Sequence, residues 1–356
     1  MTTLKALQIG PLSIADPVLL APMSGVTDMP FRRLVKGFGA GLVVSEMVAS
    51  REVLHDNRRT RELLRRSRDE KPIALQLAGC EPDVMAEAAK MSEDEGVALI
   101  DINMGCPAKK VVNGMAGSAL MRDEGKAGRI LEAVVNAVSR PVTLKMRTGW
   151  NDDNRNAPRL AKIAEECGIA MVTVHGRTRC QLYRGSADWD FIAKVKEAVK
   201  IPVIGNGDVT SEEDASELMR RSGADGVMIG RGAYGKPWFP AQVAYYLRHG
   251  KKLPAPGLAE QRAALLHHYD GLLSHYGVDV GVRVARKHIA WYCADLPGER
   301  EFRARINRMD EAAQVINEIE QFYLPLADMA DIADTASRAD MASKTAVAPL
   351  AASAAI

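Results

Sequence analysis

The sequence predicts an α/β protein, a (β/α)8 barrel followed by a small all-helical domain, and three observations carry this. Eight short runs rich in Val, Ile and Leu alternate with amphipathic helical patterns. Each run has the continuous apolar character of a parallel strand buried on both faces. The eight units fill roughly 215 residues, the length of a closed barrel, whereas a doubly wound sheet stops at five or six strands.

In chain order the strand signals are VLLAP from Val18, GLVVSE from Gly41, PIALQL from Pro72 and VALIDI from Val97. They continue with PVTLKMR from Pro141, AMVTVHG from Ala170, PVIGNGD from Pro202 and GVMIGRG from Gly226. Helical patterns lie between them at Val84–Glu95, Gly125–Ser139, Ala157–Cys167, Asp188–Val199 and Ser211–Arg221. Thr210-Ser211-Glu212-Glu213 reads as a helix start, and Gly168 and Gly223 read as stops. After Lys251-Lys252-Leu253-Pro254-Ala255-Pro256-Gly257 strand signals cease and residues 258–323 read as amphipathic helices. The expected organisation is a barrel over 1–250, a helical domain over 258–325, and a disordered tail over 327–356 that is rich in Ala, Ser and Asp and has no aromatic residue.

At 356 residues, 47% hydrophobic and 26% charged, the chain is long and apolar enough to bury a full core. A formal net charge of +2 does not by itself announce a nucleic-acid partner, so local clusters must decide. The five cysteines are an odd number without a C-x-x-C pair, which suits a reducing compartment. The N-terminus lacks a charged head followed by an apolar stretch, and no window approaches the roughly 18 apolar residues of a membrane span. A soluble, cytoplasmic protein without an obligate protein partner is expected.

Polar residues stand at the C-terminal ends of all eight strand signals: Pro22-Met23-Ser24, Ser45-Glu46, Gln76, Asp101 and Asn103, Lys145 and Arg147, His175, Asn206 and Asp208, and Gly230-Arg231. In a barrel these ends converge on one mouth, where such folds place their chemistry. Singly, each has an ordinary reading: Gln76, Asn206 and Asp208 as turn or cap residues, Lys145 and Arg147 as partners of an acid such as Glu46, His175 as a core histidine. The glycine-rich loops Gly205-Asn206-Gly207-Asp208 and Gly230-Arg231-Gly232 follow strands seven and eight, where barrels build phosphate sites from backbone N–H groups, so a phosphorylated cofactor is implied. Gly230 to Gly235 also satisfies G-x-G-x-x-G, but the following strand and acidic residue of a dinucleotide fold are missing.

Cys106 lies just past the fourth strand signal on a loop that Pro107 biases away from helix. It reads either as a small apolar residue or as a proton donor, since an unperturbed thiol, with a pKa of about 8.5, is mostly protonated at neutral pH. His267, His268 and His275 read as helical surface residues, and no histidine or cysteine spacing fits a metal, so none is expected. Basic residues cluster twice: at Arg58, Arg59, Arg61, Arg65, Arg66 and Arg68, and in the helical region at Arg283, Arg286, Lys287, His288, Arg300, Arg303, Arg305 and Arg308. Trp291, Tyr292 and Phe302 interleave the second cluster, as backbone contact with base stacking requires. A polyanionic substrate fits both clusters better than a small one.

Several motifs resemble one family. They are Ala21-Pro22-Met23-Ser24-Gly25-Val26-Thr27-Asp28 with Pro30-Phe31-Arg32, Asp101-Ile102-Asn103-Met104-Gly105-Cys106-Pro107-Ala108-Lys109-Lys110, and Lys145-Met146-Arg147-Thr148-Gly149-Trp150. His175-Gly176-Arg177-Thr178-Arg179, Ile204-Gly205-Asn206-Gly207-Asp208, Met228-Ile229-Gly230-Arg231 and Arg283-Val284-Ala285-Arg286-Lys287-His288 complete them. From about Ile14 to Tyr323 the chain resembles the tRNA-dihydrouridine synthases, most closely the B-type bacterial branch. The resemblance implies a TIM-barrel oxidoreductase that holds FMN, takes electrons from NADPH and reduces the C5–C6 double bond of selected uridines in tRNA. It further implies that Cys106 is the general acid and that Pro22, Met23, Ser24, Gln76, Asn103, Lys145, His175, Asn206, Gly207, Asp208, Gly230 and Arg231 hold the flavin. Arg283, Arg286, Lys287 and His288 would contact RNA. The same chemistry on ribosomal RNA, on a small pyrimidine, or a non-catalytic RNA-binding protein are the alternatives.

Overall fold

The computed structural model describes residues 4–55 and 67–328. Arg58, Arg59, Arg61, Arg65 and Arg66 of the first basic cluster, and the tail from residue 329 on, lie outside the described residues. The chain divides into two compact units, one ending at Leu253 and one beginning at Pro254.

The first unit opens with an antiparallel hairpin, β1 (Leu7–Ile9) and β2 (Leu12–Ile14), turning on Gly10 at φ +56°. The parallel strands follow: β3 (Val18–Leu20), β4 (Leu42–Val44), β6 (Ile73–Ala78), β7 (Leu99–Met104), β8 (Val142–Arg147), β9 (Met171–His175), β10 (Val203–Asn206) and β11 (Gly226–Ile229). The short β5 (Val48–Ala49) runs on beside β6 above the end of β4. Strand β3 pairs with both β11 and β4, and β4 pairs with β6, so the ring closes into an eight-stranded parallel barrel, the TIM-barrel fold. Each strand signal read from the sequence falls on one of these eight strands.

Side chains alternate along each strand. On β8, Val142, Leu144 and Met146 join the shell packed under the helices, which leaves Thr143, Lys145 and Arg147 pointing into the barrel. On β7, β9 and β10 the inward series are Leu99-Asp101-Asn103, Met171-Thr173-His175 and Ile204-Asn206. The lower interior is apolar, made by Leu19, Leu42, Ala74, Leu99, Met171, Ile204 and Met228, and the hairpin closes it with Leu7, Ile9 and Ile14. Polar side chains begin one layer higher, so the polar interior opens only toward the C-terminal mouth.

The five helical patterns correspond to α3 (Pro82–Asp94), α5 (Glu124–Ala137), α6 (Ala157–Glu166), α7 (Trp189–Ala198) and α8 (Glu212–Ser222). At the start of α8 Ser211 and Asp214 form a capping box, with Asp214 N–H to Ser211 Oγ at 3.1 Å and Ser211 N–H to Asp214 Oδ2 at 2.9 Å. It ends on Gly223 at φ +63°.

Further elements of this unit were absent from the sequence reading: the hairpin, α1 (Met29–Phe38), the short α2 (Ser50–Leu54) and α4 (Lys109–Asn113), and α9 (Phe239–His249). The start of α1 was signalled by Asp28 as N-cap with Pro30 in the first turn, and its end by Gly39 at φ +117°. Arg32 of α1 is buried and paired with buried Glu70 at 2.7 Å, and it also donates to the Thr27 carbonyl at 2.7 Å.

The second unit holds α10 (Leu258–Tyr276), α11 (Val278–Tyr292), α12 (Glu299–Ile306) and a last helix over 312–328. Its core contains Leu265, Tyr269, Leu272, Val282, Ile289, Phe302, Ile306, Ile319 and Tyr323. No helix among the described residues is long and apolar enough to cross a membrane.

Candidate active site

The floor of the mouth is a directional chain of hydrogen bonds anchored on Asp101. Its Oδ1 accepts from Thr143 Oγ1 at 2.6 Å and its Oδ2 from Gln76 Nε2 at 2.7 Å. A carboxylate offers only acceptors, so it fixes the orientation of the Gln76 amide. Gln76 Oε1 must then accept, and it does so from Asn103 Nδ2 at 2.8 Å. Asn103 Oδ1 is thereby turned to the next loop, where it accepts from the N–H groups of Gly105 at 3.1 Å and Cys106 at 2.9 Å. Burial pushes Asp101 up to about 6, against the opposing pull of its two donors and of Lys145.

Cys106 is held at both ends of its peptide. Its carbonyl accepts from Ser118 N–H at 3.1 Å and Ser118 Oγ at 2.8 Å, while its thiol is free and half-buried. Gly117, at φ +58°, lets the chain pass close by: a Cβ there would meet the Cys106 carbonyl at 2.9 Å. Lys145, on the neighbouring strand in register with Asn103, gives one hydrogen bond, to Asn206 Oδ1 at 3.1 Å, and Asn206 is turned by its own donation to the Met228 carbonyl at 2.7 Å. Burial first, then the adjacent Arg147 charge, bring Lys145 down to about 8. Neither Lys145 nor Arg147 makes an ion pair with Glu46 among the described residues. The buried Arg147 guanidinium instead donates to three carbonyls, those of Gly105 at 2.9 Å, Thr178 at 2.8 Å and Leu182 at 2.9 Å, and so clasps the loops after β7 and β9 together.

His175 is held well below its ordinary pKa by burial and by the surrounding Lys145, Arg147, Arg177 and Arg231, and is neutral at physiological pH. Its Nδ1 accepts from Arg177 N–H at 3.2 Å, so Nε2 carries the proton and is the free donor. In the loop after β10, Gly207 stands at φ +121° and Asp208 at φ +58°. The Asp208 carboxylate is occupied by Arg177 at 2.7 and 2.6 Å, by Ala187 N–H at 2.8 Å and by Arg231 at 3.4 Å, all of which pin the loop. Among the described residues the N–H groups of Gly207 and Asp208 donate to no protein acceptor. Ser24 is exposed beside half-buried Pro22 and Met23, and Gly230 lies 3.5 Å, by the position its Cβ would take, from Met23 Sδ. Tyr183, which the sequence reading did not single out, is exposed at the mouth with Arg231 at 4.6 Å and Arg147 at 5.7 Å from its ring.

The second cluster of cations is less uniform than its sequence. Arg283 is exposed and Lys287 half-buried, whereas Arg286 is tied to Asp310 at 2.8 Å and to the Met309 carbonyl at 3.0 Å. His288, expected on the RNA-contacting face, is 1% exposed, with its ring 4.6 Å from that of His268 and 5.1 Å from that of Trp291. It is a packing residue and no surface contact. His268 and His275 are likewise buried, and so are Tyr292 and Phe302, because the helical period turns these positions inward and leaves only their neighbours in solvent.

The family profile described as dihydrouridine synthase (Dus) matches residues 19–327. The chain is 58% identical over 323 residues to the probable tRNA-dihydrouridine synthase of Rickettsia prowazekii (strain Madrid E), covering 90% of this chain and 99% of that one. The chain belongs to the dihydrouridine synthase family. Relatives with the B designation are similar too: tRNA-dihydrouridine synthase B of Xanthomonas axonopodis pv. citri is 54% identical, covering 85% of this chain and 92% of its own, and that of Pseudomonas aeruginosa is 49% identical, covering 90% and 96%. Among solved structures, a mutant of morphinone reductase in complex with tetrahydroNAD superposes with a TM-score of 0.52 at 16% identity, covering 72% of this chain and 93% of that one. Histamine dehydrogenase from Rhizobium sp. 4-9 does so with a TM-score of 0.54 at 13% identity, covering 75% and 50%. This family member therefore shares its barrel fold with those two proteins. No cluster of His, Cys, Asp and Glu able to hold a metal occurs among its described residues.

Proposed function

We propose that this dihydrouridine synthase reduces the C5–C6 double bond of selected uridines in tRNA to 5,6-dihydrouridine, with FMN as cofactor, NADPH as electron donor and Cys106 as general acid. The observation that carries the reading is the mounting of Cys106: backbone fixed through Asn103 and Ser118, thiol free, at a mouth whose inner wall carries Lys145 and Arg147.

The residues fit a flavin. Lys145 is a half-buried ammonium with a single acceptor among the described residues, so two of its N–H donors await one. The Thr173 hydroxyl below it is buried without a partner. The unengaged N–H groups of Gly207 and Asp208, with Gly230 and exposed Arg231 on the next loop, suit a phosphate. We assign Lys145, His175, Gln76, Asn103 and Asn206 to the ring and Pro22, Met23 and Ser24 to the facing wall. Bound there, the flavin would supply to C6 the hydride obtained from NADPH.

Cys106 would give its S–H proton to C5, forming the new C–H bond and leaving a thiolate that solvent reprotonates. Neutral His175 offers a donor without adding a third charge. Arg283, Arg286 and Lys287 are assigned to RNA phosphates. His288 is left out of that set because it is buried.

The test is mass-spectrometric mapping of dihydrouridine in separated tRNA and ribosomal RNA from a deletion strain, complemented by wild type or by Cys106→Ala. Loss at a defined tRNA position, restored by wild type alone, is expected. Loss confined to ribosomal RNA would overturn the substrate. Purified Cys106→Ala should keep its flavin and its oxidation of NADPH while forming product about 100-fold more slowly.

A further inference from the structure

Four non-glycine residues among those described adopt a left-handed backbone: Met115 (φ +57°), Leu182 (φ +54°), Asp208 (φ +58°) and Asp295 (φ +69°). Aspartate visits this region readily, but a large apolar residue does so only when its surroundings force it. Met115 and Leu182 are also exposed, at 48% and 41%. A residue that is both strained and exposed contributes neither favourable backbone energy nor buried area to folding, which points to another use.

Both residues belong to segments tied to the Gly105–Cys106 loop. Met115 is two positions before Gly117, where an added Cβ would meet the Cys106 carbonyl at 2.9 Å, and its own loop is closed by Met115 N–H to the Val112 carbonyl at 2.9 Å. Leu182 is held by its N–H to the Arg179 carbonyl at 3.1 Å and by its carbonyl accepting from Arg147 at 2.9 Å, and the same guanidinium holds the Gly105 carbonyl next to Cys106. One buried arginine thus ties the Leu182 loop to Gly105, and Ser118 ties the segment after Met115 to the Cys106 carbonyl. Exposed cations stand close by in the chain, Lys109 and Lys110 on α4 before Met115 and Arg184 after Leu182. An apolar side chain flanked by cations is complementary to a nucleobase on its phosphodiester chain.

We propose that Met115 and Leu182 are wedges that pack against the nucleobases adjoining the target uridine and take over the stacking surface it vacates when it leaves the RNA to reach Cys106. The proposal rests on the reading of Cys106 as proton donor to an RNA uridine. Moving a base out of its stack costs free energy that apolar contacts to its neighbours offset.

The test uses the holoenzyme variants Met115→Gly and Leu182→Gly, singly and together. Glycine adopts these φ values without strain, so the melting temperature is expected to hold or rise, and flavin reduction by NADPH without RNA is expected to stay at the wild-type rate. Single-turnover reduction of the mapped uridine should slow about tenfold in the double variant on intact tRNA. On tRNA carrying abasic nucleosides on both sides of that uridine, wild type should fall to the rate of the double variant, and the variant should lose less than about twofold more. Unchanged rates on intact tRNA overturn the wedges. Losses that multiply on the abasic tRNA overturn them as well, since the side chains then act elsewhere than on the neighbouring bases. A wild-type holoenzyme that reduces no tRNA uridine refutes the functional reading and the wedges with it, and is told apart because the unmutated protein itself fails.

Discussion

The upper barrel interior and the core of the helical unit both bury titratable groups, yet they do so in opposite ways. In the barrel Asp101, Gln76, Asn103 and Thr143 form one chain in which each hydrogen bond dictates the next, and the chain ends on the backbone of the loop that carries Cys106. In the helical unit His268, His288 and Tyr292 meet through ring edges, with ring centroids 4.6 and 6.1 Å apart, and burial keeps them neutral. Buried polarity alone therefore does not mark a site. What distinguishes the barrel is that its network converges on an open mouth and leaves donors such as Lys145 available there, whereas the helical cluster packs ring against ring.

The sharpest way to break this contrast is Asp101→Leu. It removes the anchor of the chain and leaves the Thr143 and Gln76 donors buried without acceptors, so a loss of about 3 kcal/mol is expected in a denaturant titration, together with weakened flavin retention. The matched change His268→Leu in the helical unit should cost less at pH 7.5, since a side chain of similar volume keeps the packing against the His288 and Tyr292 rings. Equal losses would erase the distinction.

Next in size, Lys145→Met should lower single-turnover uridine reduction about 100-fold while leaving the melting temperature near that of wild type, because it removes a fixed charge and no apolar packing. A stability loss as large as that of Asp101→Leu would show Lys145 to be part of the scaffold.

The acid response of the helical unit is set in part by His268. His268 is brought down to about 3 in the fold, chiefly by burial and then by the charges of His267 and Lys287, against an ordinary value of 6.5. The unfolded chain binds that proton first, so the helical unit should lose stability as pH falls below 6.5 toward 3, by at most about 1.4 kcal/mol per pH unit for this group. Circular dichroism melts of wild type between pH 7 and 4 should show this slope, and those of His268→Leu a shallower one. The smallest effect is expected for Arg283→Ala, a few-fold rise in the KM for tRNA with a salt dependence shallower by about one ion, read from rates at several salt concentrations. An unchanged salt slope would remove Arg283 from the RNA face.

Much of the site was legible because barrel strands are local. Lys145 and Arg147, two apart on a strand, must share a face, and the polar ends of eight consecutive strands must meet once the barrel closes. The sequence could not tell that Arg147 serves as a clasp for the Gly105, Thr178 and Leu182 carbonyls, nor that Asp208 is consumed by Arg177, because those partners are distant in the chain. Tyr183 carried no periodic signal at all, lying in a loop whose course is set by Arg147 and Arg177.

The helical region shows the opposite limit. Its charge pattern was read as one cationic, aromatic-interleaved face, and the fold turned His288, Tyr292 and Phe302 inward while leaving Arg283 outside. By itself the sequence determined the barrel, its eight strands, the converging polar ends and the loop that carries Cys106, because continuous apolar runs and glycine or proline stops act over a few residues. Tertiary structure alone decided which polar groups satisfy one another and which remain open. Hydrogen bonding is saturable and directional, so the availability of any donor depends on whatever else the fold brings within reach of it.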